Sequence, residues 1–288
     1  MRAFDPRLTP ARGDIAAKEL EGKVEAARYV DGRVYEVIDP QAPLRAEAAP
    51  DAPLLTEALK GERVTIYDMN GEGWAWGQLA ADNYVGWLPA NALAPAGAPP
   101  THKVTALRTF AFPGPSIKLP PLEALPLGAR LGVVRVADRL AVTRSGGYVP
   151  SPHLAPLDVD EPDFVAVAER FLGVPYLWGG KTAFGLDCSG LVQVALTAAG
   201  LSCPRDSDMQ EQALGAPTGT AADLADVRRG DLIFWKGHVA FVRDAATLIH
   251  ANAFHMAVAI EPIADAVARI RAAGSDVTSV RRVARSAA

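Results

Sequence analysis

The stretch P-Y-L-W-G-G-K-T-A-F-G-L-D-C-S-G-L-V, residues 175–192, decides how this chain is read. Glycines and aromatics crowd its first half, and an apolar run begins at its end. Residues 188–199, C-S-G-L-V-Q-V-A-L-T-A-A, have helical composition, and Gly200 supplies the stop. Cys188 then falls in the first helical turn, where unpaired backbone N–H groups and the helix dipole favour a thiolate, so its pKa is expected to fall. Asp187 opposes this slightly if it points at the sulfur, but it can cap the helix instead. Gly185 and Gly190 are expected to let the backbone turn and admit a substrate closely. The competing reading is an inert, buried cysteine. The glycines, polar flanks and helix start favour a reactive one. Cys203, in L-S-C-P, has none of these features and reads as structural. Gly180-Lys181-Thr182 resembles the end of a phosphate loop, but position 175 is proline where that loop needs glycine, so nucleotide binding is rejected.

A thiol nucleophile needs a base, and the base needs an orienting partner. Of the five histidines, His102 and His153 fall in or beside strand-rich segments, and His255 follows Phe254 in an expected exposed loop. His238 opens the apolar strand H-V-A-F-V, and His250 lies in T-L-I-H-A, with Arg243-Asp244 in the turn between. An antiparallel hairpin would set the two rings side by side, with His238 as base and His250 fixing its tautomer. The bland alternative is that each only hydrogen-bonds at a strand end.

Upstream of Cys188, D-E-P-D-F-V-A-V-A-E-R-F-L-G reads as a helix N-terminus followed by a buried face of Phe164, Val167, Ala168, Phe171 and Leu172, ended by Gly173. D-L-I-F-W, H-V-A-F-V and T-L-I-H-A follow as strands, so residues 158–288 read as α+β. Residues 25–95 and 101–157 have a different texture. Short strands cut by turns (Arg33–Ile38, Arg63–Tyr67, Trp74–Leu79 and Val85–Leu88; Lys103–Leu107, Arg130–Val136, Leu140–Thr143 and Gly147–Pro150) suggest small barrels. A-P-A-G-A-P-P, residues 94–100, separates them as a stiff linker. Late G-W-L-P (86–89) and G-Y-V-P (147–150) elements suggest a degenerate repeat and resemble the closing strand of bacterial SH3-like domains. Residues 1–24 read as an extension with a short helical pattern around Ile15 and Leu20.

Composition narrows the function. With 29 basic against 33 acidic residues the net charge is −4, which gives no pull toward nucleic acid or an anionic membrane. No apolar run is long enough to span a bilayer. The start carries no apolar signal core, which gives the expectation of a cytoplasmic protein. Two cysteines make neither a disulfide scaffold nor a four-cysteine zinc site, and no paired Cys/His spacing suggests a metal. The expectation is therefore of no metal and no cofactor.

Taken together, Y-L-W-G-G (176–180), D-C-S-G (187–190), P-R-D-S-D-M-Q (204–210), G-D-L (230–232), H-V (238–239) and I-H-A (249–251) resemble the NlpC-type papain-like cysteine peptidases, in the family's order. Arg229 stands where the family usually has proline, and the Ala-rich segment after His250 aligns poorly. The resemblance implies a papain-like catalytic domain over 158–288, preceded by two small SH3-like β-barrels at 25–95 and 101–157. It implies Cys188 as nucleophile, His238 as base and His250 as orienter. The Cys188 N–H and Tyr176 would hold the oxyanion. It further implies that Asp187 and Ser189 receive a free substrate ammonium. In the subclass with SH3-like domains, Tyr84 and the weaker candidate Glu57 help close the cleft. That subclass cuts the γ-D-glutamyl–diaminopimelate bond of short muropeptides with a free N-terminal L-alanine, in murein peptide recycling. The rival readings are an amidase or acyltransferase on another γ-linked substrate, and a wall-fragment binding protein with a relic site.

Overall fold

A computed structural model describes residues 4–218, 224 and 226–283. The chain divides into two compact units, Met1–Leu157 and Asp158–Ala288. Among the described residues no helix is long and apolar enough to cross a membrane.

The first unit is built of strands. Its largest sheet runs, in spatial order, Leu93–Pro95, Arg33–Val37, Arg63–Met69, Trp74–Leu79, Val85–Pro89, Gln41–Arg45 and Leu54–Leu59, with every pairing antiparallel. The turn at Met69-Asn70-Gly71 forms because Asn70 Oδ1 accepts from the backbone N–H groups of Glu72 and Trp74. Alternate residues of these strands, including Val37, Leu44, Val64, Leu79 and Leu88, make one apolar core, which Tyr84 joins. Residues 102–156 form shorter sheets around a second core of Val104, Ala111, Leu125, Ala129, Leu131 and Val149. One succession occurs in both parts. Val85–Pro89 leads through a 3-10 turn at Ala90–Ala92 into Leu93–Pro95, and Tyr148–Pro150 leads through one at Ser151–His153 into Leu154–Pro156. Both closing strands read L-A-P.

Three expectations are corrected here. The short helical pattern around Ile15 and Leu20 is met only by a 3-10 turn at Lys18–Leu20: Ala11–Arg12 and Ile15–Ala17 are strands, and the latter pairs in parallel with Tyr29–Val30. Ile15, Ala16 and Ala17 are all fully buried, and an uninterrupted apolar run cannot be told from a helix segment by periodicity. The linker is shorter than A-P-A-G-A-P-P, because Ala94 and Pro95 pair with Glu36 and Tyr35. The Arg130–Val136 strand is interrupted at Gly132, giving Arg130–Leu131 and Val133–Ala137.

The second unit packs helices on one antiparallel sheet. Its order is Ala216–Pro217, Val277–Arg282, Asp231–Trp235, His238–Val242, Thr247–Asn252, Ala257–Pro262. Helix α1, Phe164–Glu169, starts where Asp163 accepts from the N–H groups of Val165 and Ala166 at 2.9 and 3.2 Å. It is shorter than its apolar spacing suggests: tighter i→i+3 bonds close it, and Leu172 turns out to solvent. Helix α2, Cys188–Ala198, packs on α1 and on the two histidine-bearing strands. Helix α3 is Ser207–Ala213, and the Ala-rich segment forms α4, Ile263–Ala272. Arg229 pairs with Asp163 and Glu169, so the residue replacing the usual proline ties α1 to the turn before the sheet.

Candidate active site

The buried N-terminus of α2 carries the thiol. Asp187 is its cap, and Gly190 lets the helix start pass against the preceding loop. A Cβ on Gly190 would stand 2.3 Å from the Gly180 carbonyl oxygen. The expectation that glycine here admits substrate is thereby replaced, since the close neighbour is the protein's own backbone.

Asp187 accepts five hydrogen bonds from protein groups. Its Oδ1 accepts from the Gly190 N–H at 2.7 Å, the Ser189 hydroxyl at 3.2 Å and Arg205 Nη1 at 2.9 Å. Its Oδ2 accepts from the Gly179 N–H and from Arg205 Nη2, both at 2.8 Å. Arg205 is fully buried and also donates to Ser189 Oγ at 2.9 Å and to the Gly180 carbonyl. Asp187 and Ser189, expected to receive a substrate ammonium, thus also bind one another and Arg205. Gln210 completes the arrangement by donating to the Ser189 and Pro204 carbonyls, each at 2.9 Å. Sequence reasoning quoted Arg205 and Gln210 inside P-R-D-S-D-M-Q but gave them no task.

Cys188 is buried, and its sulfur lies within reach of the backbone N–H groups of Val239 and Ser189. Val239 follows His238, so the Cys188 helix and the His238 strand meet at this point. Burial, reinforced by Asp187, pushes the thiol up to about 12, which corrects the expectation of a lowered value. The helix terminus favours a thiolate, but removal from water outweighs it. Burial, with help from His250 and Arg269, also drives His238 down to about 3. Taken singly, each partner is neutral. A Cys–His pair is activated by moving the proton from sulfur to ring, which leaves two opposite charges.

His238 Nε2 and His250 Nδ1 are 2.8 Å apart, with ring centroids 5.0 Å apart. Trp235 lies against His238 at 5.6 Å. Behind them, His250 Nε2 is 2.7 Å from Glu261 Oε1, and Arg269 pairs with the same oxygen. Burial lowers the pKa of His250 against the pull of Glu261. Glu261 itself is held below the usual carboxylate range, because contacts to His250 and Arg269 outweigh its burial. Sequence reasoning missed Glu261 and Arg269. His255 donates from its backbone to Asn252 Oδ1 and is exposed. Tyr176 is half-buried and raised by burial and by nearby Cys188 and Asp187, so it keeps its O–H as a donor. In the first unit, Tyr84 and Glu57 are both buried.

A buried thiol at a helix start, beside a strand that presents a histidine backed by a second histidine, defines a papain-like cysteine hydrolase. The NlpC/P60 family model matches residues 173–273, and that of the bacterial dipeptidyl-peptidase SH3 domain matches residues 44–93. The chain is 30% identical over 245 residues to a gamma-D-glutamyl-L-lysine dipeptidyl-peptidase of Bacillus cereus, covering 73% of this chain and 71% of that one. A protein of the same name from Bacillus subtilis is 42% identical over 73 residues, 25% of this chain and 23% of the relative. The crystal structure of an NlpC/P60 family protein from Bacillus cereus superposes with a TM-score of 0.72 at 22% identity, over 87% of this chain and 99% of that one. The chain belongs to the NlpC/P60 family of cysteine peptidases and carries an N-terminal SH3-like domain.

Proposed function

We propose that this peptidase hydrolyses the γ-D-glutamyl–diaminopimelate bond of short peptidoglycan peptides bearing a free N-terminal L-alanine. The observation that carries the chemistry is the 2.8 Å contact between His238 and His250 on a hairpin packed against the Cys188 helix. Cys188 Sγ attacks the amide carbon while its proton passes to His238 Nδ1. The Cys188 N–H, which has no partner within the helix, and the Tyr176 hydroxyl receive the oxyanion. His238 returns the proton to the leaving amine. Water then releases the acyl group. The γ-D-glutamyl side of the bond follows the name of the Bacillus cereus relative, which gives L-lysine on the amine side; diaminopimelate there follows from the family resemblance.

The free amine is assigned, as the family resemblance implies, to Asp187 and Ser189, with Tyr84 and the weaker Glu57 as further candidates; a carboxylate and a hydroxyl suit an ammonium. Residues 101–157 are read as a second SH3-like barrel after the first at 25–95. The shared strand, 3-10 turn and L-A-P strand support this. An enzyme that reads a free amine acts on turnover fragments, and the cytoplasm is where imported fragments would be recycled. The test is mass spectrometry of products from L-Ala-γ-D-Glu-diaminopimelate and its N-acetylated form, with Cys188→Ala as control. Cleavage of the free peptide alone is expected. Equal cleavage of both refutes amine reading, and cleavage of neither refutes the substrate class.

A further inference from the structure

Three strands place three side chains on one diagonal. His250 pairs with Ala259, so Glu261 lies two residues along the next strand on the same face. Phe241 pairs with Ile249 on the other side, which sets His238 on that face one diagonal step beyond His250. The result is a continuous chain of contacts, His238 Nε2 to His250 Nδ1 at 2.8 Å and His250 Nε2 to Glu261 Oε1 at 2.7 Å.

The chain has a polarity that only its far end can set. A carboxylate accepts and cannot donate, so His250 Nε2 must carry a hydrogen. Neutral His250 then has a bare Nδ1, which forces His238 Nε2 to be the donor. His238 Nδ1 is left without a proton. We propose that Glu261 is a positioning residue: it fixes the tautomers of both histidines, so that the outer nitrogen of His238 is bare and able to take the Cys188 proton. This rests on the assignment of Cys188 and His238 above. When the proton arrives, His238 becomes an imidazolium still donating through Nε2, and no other proton needs to move. Arg269 pairs with the same Glu261 oxygen and is itself seated over the Phe254 ring at 4.4 Å.

A cation is the competing occupant, because donor atoms of His250, His255 and Glu261 lie within 4.8 Å of one another. Two atoms sharing one zinc ion at about 2.0–2.1 Å stand roughly 3.3 Å apart in tetrahedral geometry. The 2.7 Å contact is a hydrogen bond, and Arg269 already supplies the positive charge.

The test reads tautomers directly. Long-range ¹H–¹⁵N correlation on histidine-labelled wild-type protein should show both His238 and His250 as Nε2–H. Glu261→Ala should move His250 toward Nδ1–H. It should lower kcat on L-Ala-γ-D-Glu-diaminopimelate by about 10- to 100-fold with KM within about twofold, less than the loss of about 10⁴ when the group directly behind a catalytic histidine is changed. Carbamidomethylation of Cys188 by iodoacetamide should slow in proportion. Glu261→Gln keeps an acceptor oxygen and should retain the tautomers and at least about a tenth of kcat. A wild-type His250 found as Nδ1–H overturns the proposal without any variant having to fold. So does Glu261→Ala with wild-type kcat and tautomers. Turnover by Cys188→Ala would instead condemn the nucleophile assignment, a result the tautomer spectra do not depend on.

Discussion

Replacing Arg205 with methionine removes a guanidinium that is 1% exposed and donates to Asp187 Oδ1, Asp187 Oδ2, Ser189 Oγ and the Gly180 carbonyl. Methionine fills much of the volume, so the loss is electrostatic. The Asp187 carboxylate stays buried with its countercharge gone. Breaking a buried pair this way costs about 3–5 kcal/mol. Native-state hydrogen exchange of the α2 amides should then lose protection by roughly 140- to 3,700-fold, at tenfold per 1.4 kcal/mol. The double variant Asp187→Asn/Arg205→Met no longer strands a charge and should recover about half of the lost free energy. Peptidase activity should fall in the single variant beyond what unfolding explains, because the cap that orients Cys188 slackens. Protection within about fivefold of wild type for Arg205→Met would refute the argument that this pair anchors the nucleophile.

Gly190→Ala forces a methyl to within 2.3 Å of the Gly180 carbonyl oxygen and should destabilise the second unit by about 1–3 kcal/mol in urea unfolding, with loss of turnover. Asp163→Ala removes the α1 cap and one Arg229 partner; about 1–2 kcal/mol should be lost by the same assay, with kcat little changed. Acid should destabilise the protein in two stages. His238 and His250 resist protonation when folded, so below about pH 6.5 the unfolded chain binds protons the folded one refuses. Stability falls as pH drops, by at most about 1.4 kcal/mol per pH unit for each ring. Below about pH 4.5, Glu169 and Glu261, both held below the ordinary range, add their own loss. Urea midpoints that do not move between pH 7 and 5 would contradict the first stage.

The helix beginning at Cys188 could be read from its glycine-bounded apolar run, and the His238–His250 contact from a twelve-residue separation around Arg243-Asp244. Both are local patterns. What escaped the sequence depends on partners. That Asp187 binds Arg205, eighteen positions on, is invisible in the local pattern around Cys188. Glu261 needs the register of two strands, which no single strand's composition specifies. The direction of the Cys188 shift was misjudged because a sequence shows the helix terminus but not the depth of burial. Ile15-Ala16-Ala17 misled because a strand covered on both faces has no alternation.

The diagonal across His238, His250 and Glu261 also restricts how this domain can be remodelled. Inserting one residue within either strand turn could slide the pairing by a single step, and every side chain on the moved strand would then point through the sheet's other side. Changes of loop length at 243–246 or 253–256 are tolerable only if they leave that parity alone. A designer grafting a new substrate loop here should therefore vary the turn's tip and keep both flanking ladders fixed.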